Sequence, residues 1–136
     1  MIQAVVGGKG TGKTKTLVNM ANKALDETKG EIVFISGEKR RMFELNHRIR
    51  LVKLREFDIK DLKMFYGFLN GLVAQNYDIE RIYIDGLLEF IKEDITSFAD
   101  FLSDVDSISK KFNIRFIITM NGDPDSVPTF LKEYIA

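Results

Sequence analysis

An apolar run that breaks directly into GGKGTGKT constrains this chain more than any other feature: Ile2–Val6 leads straight into Gly7–Thr14. Glycine-rich backbone adopts conformations closed to other residues, so successive N–H groups can converge on one point. From Lys13 the pattern turns helical, with Leu17, Met20, Ala21, Ala24 and Leu25 on one face to about Thr28 and Gly30 as the expected stop. A buried strand, a glycine turn and a helix start, in that order, aim the positive end of a helix into the turn, a natural seat for an anion. The spacing satisfies G-x-x-x-x-G-K-[ST] in full, in which the lysine reaches β- and γ-phosphates and the hydroxyl reaches Mg²⁺. The candidate nucleotide-binding set is therefore Gly7, Gly8, Lys9, Gly10, Thr11, Gly12, Lys13, Thr14 and Lys15, with Lys9 reading equally well as a solvated charge.

Further strand-like and helical patterns alternate along the chain. Ile32–Ile35 reads as a fully buried strand, Arg40–His47 as a short helix, and Ile49–Leu54 as a less buried strand. Asp58 is placed to cap a helix bearing Leu62, Phe65, Leu69, Leu72 and Val73 on one face. Ile82–Ile84 ends in Asp85, a helix is expected around Ile95–Phe112, and Phe116–Met120 is the last clear strand. NGDP follows as turn chemistry, and Pro128 starts a short terminal helix. Strands alternating with helices predict an α/β fold: three αβα layers on a mainly parallel, five-stranded sheet. The aromatics of the two later helices read as sheet-packing core, not as a ligand platform.

At 136 residues the expectation is a single domain spanning 1–136. Absence of cysteine excludes disulfides and thiolate zinc sites, and the lone His47 makes a transition-metal centre a poor fit. No apolar run is long enough for a membrane span, and the N-terminus lacks the basic start and long apolar region of a signal peptide. The expected location is cytoplasmic. Equal totals of acidic and basic residues, 20 each, conceal an asymmetry. Seven Lys/Arg (39, 40, 41, 48, 50, 53, 55) face one acid between Lys39 and Arg55, whereas Asp78–Asp106 carries nine acids against Arg81 and Lys92. These tracts read either as two solvated faces or as docking surfaces. The 39–55 segment would then take an acidic protein partner, a second copy of the chain, or nucleic acid, although no stacking aromatics are interleaved for the last.

A second element should hold Mg²⁺ from another strand end. Asp85, closing RIYID, suits this role, known as Walker B. Many P-loop ATPases place a glutamate directly after that aspartate; here Gly86 follows. The sequence instead resembles the core of RecA-like ATPases, P-loop NTPases in which the catalytic glutamate ends the strand after the P-loop helix. The resemblance runs from Met1 to Asn121 through GGKGTGKT, IVFISGE, IRLVKL, RIYID and FIITMN. It implies Glu38 as the water-activating base and Asn121 (or Thr119) as the polar residue that senses the γ-phosphate. RecA-like motors carry further strands and DNA-binding loops after that point, and no arginine finger is identifiable here, with Arg40, Arg41, Arg48 and Arg50 as the available arginines.

The expected activity is Mg²⁺-dependent hydrolysis of ATP or another nucleoside triphosphate, with Lys13, Glu38 and Asn121 catalytic and Thr14 and Asp85 holding the metal. Two alternatives stand beside it: a small-molecule or nucleoside kinase, and a non-catalytic nucleotide-dependent switch or assembly factor. The nucleobase of the bound nucleotide is expected near Asp123–Tyr134.

Overall fold

A computed structural model describes residues 1–8, 10, 12–38, 44–123 and 125–135. Among them, five strands form one all-parallel sheet: β1 (Ile2–Gly7), β2 (Glu31–Ser36), β3 (Arg50–Lys53), β4 (Ile79–Asp85) and β5 (Arg115–Asn121), in the order β1-β5-β4-β2-β3. Register aligns their carboxyl ends along one edge, with Gly7 opposite Asn121, Ile84 opposite Ile118 and Ser36 opposite Asp85. The strand that opens the glycine loop is thus separated from the strand ending in Asp85 by β5.

Helices cover both faces. One face carries α1 (Lys13–Ala24), whose Leu17, Val18, Ala21 and Ala24 pack on Ile32, Phe34, Tyr83 and Ile117. The other carries α2 (Leu62–Gln75) and α4 (Ile95–Phe112), with α3 (Leu87–Phe90) between β4 and α4. Here Phe65, Phe98 and Phe101 are buried, as their helical spacing foretold, and Phe65 and Phe98 each pack against Phe101. Strand residues alternate between the two layers: Ile82, Ile84, Phe116 and Ile118 face α2 and α4, while Tyr83 and Ile117 face α1. Continuing that alternation puts Ser36, Asp85, Thr119 and Asn121 on the α1 side, the side from which the glycine loop enters.

Several local expectations are corrected. α1 ends at Ala24, and 25–27 is a turn, so Gly30 is not its stop. Gly30 is needed for close approach: a Cβ there would lie 2.3 Å from the Asp78 carbonyl. The N-cap of α2 is Asp61, whose carboxylate accepts from the Met64 N–H at 2.7 Å; Asp58 is exposed and pairs with Lys60 instead. The two acids stand three positions apart, and only tertiary contacts decide where the helix begins. Of the short helix expected over Arg40–His47, 39–43 lie outside the described residues and Glu44–His47 is bend and turn. The run Ile49–Leu54 contributes only Arg50–Lys53 to the sheet, and Leu54–Glu56 forms a 3₁₀ turn. Pro128 caps α5 (Thr129–Lys132) as expected.

Candidate functional site

Residues from four elements meet at the carboxyl edge of the sheet. The glycine loop leaves β1 at Gly7 and enters α1 through Gly12, which serves as N-cap at φ +85°, with Gly10 at φ +81°. A Cβ at either position would meet nothing within 4 Å, so backbone conformation, not space, demands glycine there. No side chain caps α1, and its first ladder bond runs from Thr16 N–H to Gly12 C=O at 3.0 Å. The amides of Lys13, Thr14 and Lys15 therefore lack intrahelical acceptors. Lys13 and Lys15 sit at the positive end of the helix dipole with no acid in that turn, a placement that costs roughly 0.3–1 kcal/mol per cation unless an anion compensates. Lys13 Nζ folds back to donate to the Gly8 carbonyl at 2.9 Å, which puts the ammonium over the loop's own backbone. Lys9 and Thr11 lie outside the described residues.

Asp85 links this loop to the sheet. Its carboxylate is only 2% exposed and accepts two hydroxyls, from Thr14 at 2.9 Å and from Thr119 at 2.7 Å. Thr119 Oγ1 also accepts from the Gly86 N–H at 3.3 Å, which fixes the start of α3. A buried carboxylate needs such partners, because desolvation without hydrogen bonds is costly. Thr14 and Asp85 thus stand together as one hydroxyl and one carboxylate on the rim of the loop. No group of three or more His, Cys, Asp or Glu is assembled among the described residues, so protein ligands here would be few. That donor set fits Mg²⁺, which keeps several waters and takes phosphate oxygens alongside one or two protein ligands.

Glu38 follows the end of β2 and lies beside Gly86. A Cβ on Gly86 would be 3.2 Å from the Glu38 carboxylate, and Gly86 itself stands at φ +70°. The glycine that replaces the expected second acid after Asp85 is therefore the residue that leaves room for Glu38. Asn121, opposite Gly7 in register, donates from Nδ2 to Glu89 Oε1 at 3.2 Å. Glu89 was hidden in the sequence as one of nine acids in a charged tract; only its place in α3, three residues past Gly86, hinted at the site. Two glutamates, one on each flank of Asp85, thus approach this edge. Arg55 was missed as well: its Nε–H donates to the Gly37 carbonyl at 3.0 Å.

Most acids of the 78–106 tract are exposed, as a solvated surface requires, but several have specific partners. Asp85 is buried in the site, Asp94 caps α4 by accepting from Ser97 N–H at 2.8 Å, and Glu93 accepts from the N–H of Leu62. Of the basic segment, Arg48, Arg50, Lys53 and Arg55 are exposed, while Lys39, Arg40 and Arg41 lie outside the described residues. A cavity of about 230 Å³ opens at the opposite end of the sheet, lined by Glu27, Glu80, Arg81 and Arg115 among others. Its charges partly satisfy one another, as in the Arg81–Glu27 pair at 3.3 Å, and no conspicuous chemistry converges on it. No helix among the described residues is long and apolar enough to cross a membrane.

Neither a protein-family model nor a curated protein sequence matches this chain.

Proposed function

We propose that this chain is a P-loop NTPase with a RecA-like core that binds Mg²⁺·ATP, or another nucleoside triphosphate, at the carboxyl edge of the sheet and hydrolyses it. The observation that carries the reading is the Thr14–Asp85 hydrogen bond, which joins residues 71 apart in sequence at the mouth of a complete phosphate-binding loop.

In this reading the loop amides and the start of α1 hold the phosphates, and Lys13 leaves the Gly8 carbonyl to neutralise the β- and γ-phosphate oxygens. Thr14 and Asp85 would hold the metal, with the Asp85 carboxylate oriented by Thr119. Mg²⁺, when bound, would neutralise charge on the β- and γ-phosphate oxygens as the bond from the γ-phosphorus to the bridging oxygen breaks. Glu38 accepts a proton from the attacking water while the oxygen bridging the β- and γ-phosphorus atoms leaves with the bonding electron pair. Asn121 orients a γ-phosphate oxygen. Catalysis then lies mostly in positioning, as expected for phosphoryl transfer.

Calorimetric titration with ATP, with and without Mg²⁺, combined with a phosphate-release assay, tests the proposal. Wild-type protein should bind in a Mg²⁺-dependent manner and release phosphate. Lys13→Ala should weaken binding by about 10-fold or more, the loss expected when a charge-assisted contact is removed. Binding that is indifferent to Lys13 and to Mg²⁺ would sink the assignment. Product formed only with an added acceptor would replace hydrolysis by a kinase reaction, and binding without turnover would leave a switch.

A further inference from the structure

We propose that Arg55 is the positioning residue for Glu38, an inference that rests on Glu38 acting as the base in the hydrolysis above. The argument begins with one peptide unit. Gly37 contributes the carbonyl and Glu38 the N–H of the same peptide plane, and each is held by a different side chain. Arg55 Nε–H donates to Gly37 O at 3.0 Å, while the Glu38 N–H donates to Ser36 Oγ at 3.2 Å. Ser36 is only 3% exposed and its position at the end of β2 is fixed by the sheet. A peptide flanked by glycine rotates easily, because glycine tolerates both signs of φ. Held at both ends, this one cannot flip, and the direction in which the Glu38 side chain leaves the backbone is set.

The rest of the surroundings makes the clamp specific to arginine. Gly37 N–H donates to the Asp85 carbonyl at 2.8 Å, and a Cβ at residue 37 would lie 2.5 Å from Gly86 O and 2.9 Å from Phe90 Cβ. The segment is thus wedged against the end of β4 and the last residue of α3. Arg55 closes the open side: its guanidinium carbon lies 5.4 Å from the centre of the Phe90 ring. A planar guanidinium can stack on that ring while its Nε–H reaches the carbonyl; a lysine ammonium cannot do both. The 3₁₀ turn after the edge strand β3 thereby controls the orientation of an acid just past the end of β2. Because Arg55 itself is exposed, removing it should disturb orientation more than global stability.

The experiment compares wild type, Arg55→Ala, Arg55→Lys, Glu38→Gln and the Arg55→Ala/Glu38→Gln double variant in full-length protein. Steady-state turnover gives kcat, and titration gives the Kd for Mg²⁺·ATP. Arg55→Ala should lower kcat between about 10- and 100-fold, the scale of a catalytic group displaced by about 1 Å, with Kd unchanged within about twofold. Arg55→Lys should recover little of this, and the double variant should be no slower than Glu38→Gln alone. Arg55→Met, which keeps an unbranched stem but no donor to the Gly37 carbonyl, serves with the same expected loss if the alanine variant does not fold. Additive losses in the double variant, or a Kd weakened in step with kcat, would overturn the proposal; the latter would put Arg55 on the phosphates. Wild-type turnover with Arg55→Ala unaffected defeats this role alone. Wild-type binding without turnover defeats the hydrolytic reading and this role together, and loss of Mg²⁺·ATP binding altogether defeats the site.

Discussion

At the scale of single residues, the proposed hydrolysis turns on which acid would approach a γ-phosphate. Asp85 is committed to two hydroxyls and is almost wholly enclosed, which in that reading suits an anchor better than a base. Glu38 stands beside Gly86, and Glu89 touches Asn121, the residue paired in register with Gly7. Their settings differ in how firmly they are held. Glu38 follows a peptide fixed by Arg55 and Ser36, whereas Glu89 lies in α3, a helix of only four residues. A base must be held in place to be useful, which favours Glu38. Glu38→Gln should therefore lower kcat by about 100-fold or more, in the range of general-base contributions, while Glu89→Gln should change it by no more than about threefold. Both variants should retain nucleotide affinity. The opposite order in the phosphate-release assay reassigns the base to Glu89.

At the scale of elements, capping and packing explain where helices begin and how they stay. The Asp94 carboxylate is held below the ordinary carboxylate value of 3.8 by hydrogen bonds from the backbone and hydroxyl of Ser97. A depressed folded-state value makes this contribution complete above the unfolded value, and it is lost as the pH falls through the folded one. Asp94→Ala should therefore have a lower Tm than wild type at pH 7, with the gap narrowing once the pH drops below about 4. Asp94→Asn, a good cap that does not titrate, should keep most of the neutral-pH stability and show less acid dependence. Thermal melts across that range check the sign; a gap that widens in acid would contradict it. Helix and strand types were legible from periodicity alone, because side-chain spacing reports the burial of one face. Boundaries were not: Asp58 and Asp61 are equally good caps on paper, and the packing of Leu62 and Phe65 under the sheet selects Asp61.

At the scale of the whole molecule, the two edges of the sheet are treated differently. β3 forms one edge with exposed Arg50 and Lys53, charged residues of the kind that discourage pairing with another chain. β1 forms the other, and the end of the chain covers it: Ala4 N–H donates to Tyr134 O at 2.6 Å, Ile135 makes a parallel bridge to Ala4, and Leu131 is 2% exposed within the core. The strand that opens the glycine loop is thus sealed by residues after β5. Leu131→Ala should cost about 2–5 kcal/mol in denaturant unfolding, the range for buried leucine truncations. It should also speed hydrogen exchange at Ala4 more than at residues of the central strand β4. A loss below about 1 kcal/mol would mean that the tail adds little to the core.

The sequence by itself determined the alternation of strands and helices, the glycine spacing of Gly7–Thr14 and the candidate aspartate after an apolar strand that Thr14 meets. These are short-range patterns: side-chain periodicity, glycine conformation and the order of residues around a turn. Tertiary structure alone decided the strand order, in which β5 separates β1 from β4 and brings Thr119 to Asp85. It also decided that Gly86 makes space for Glu38, that Glu89 meets Asn121, and that Arg55 closes on Gly37. Those contacts join residues well apart in sequence, from 18 positions for Arg55–Gly37 to 34 for Thr119–Asp85 and further still for Gly86 and Glu38. No local spacing encodes them, because they depend on which strand lies beside which once both faces of the sheet are covered.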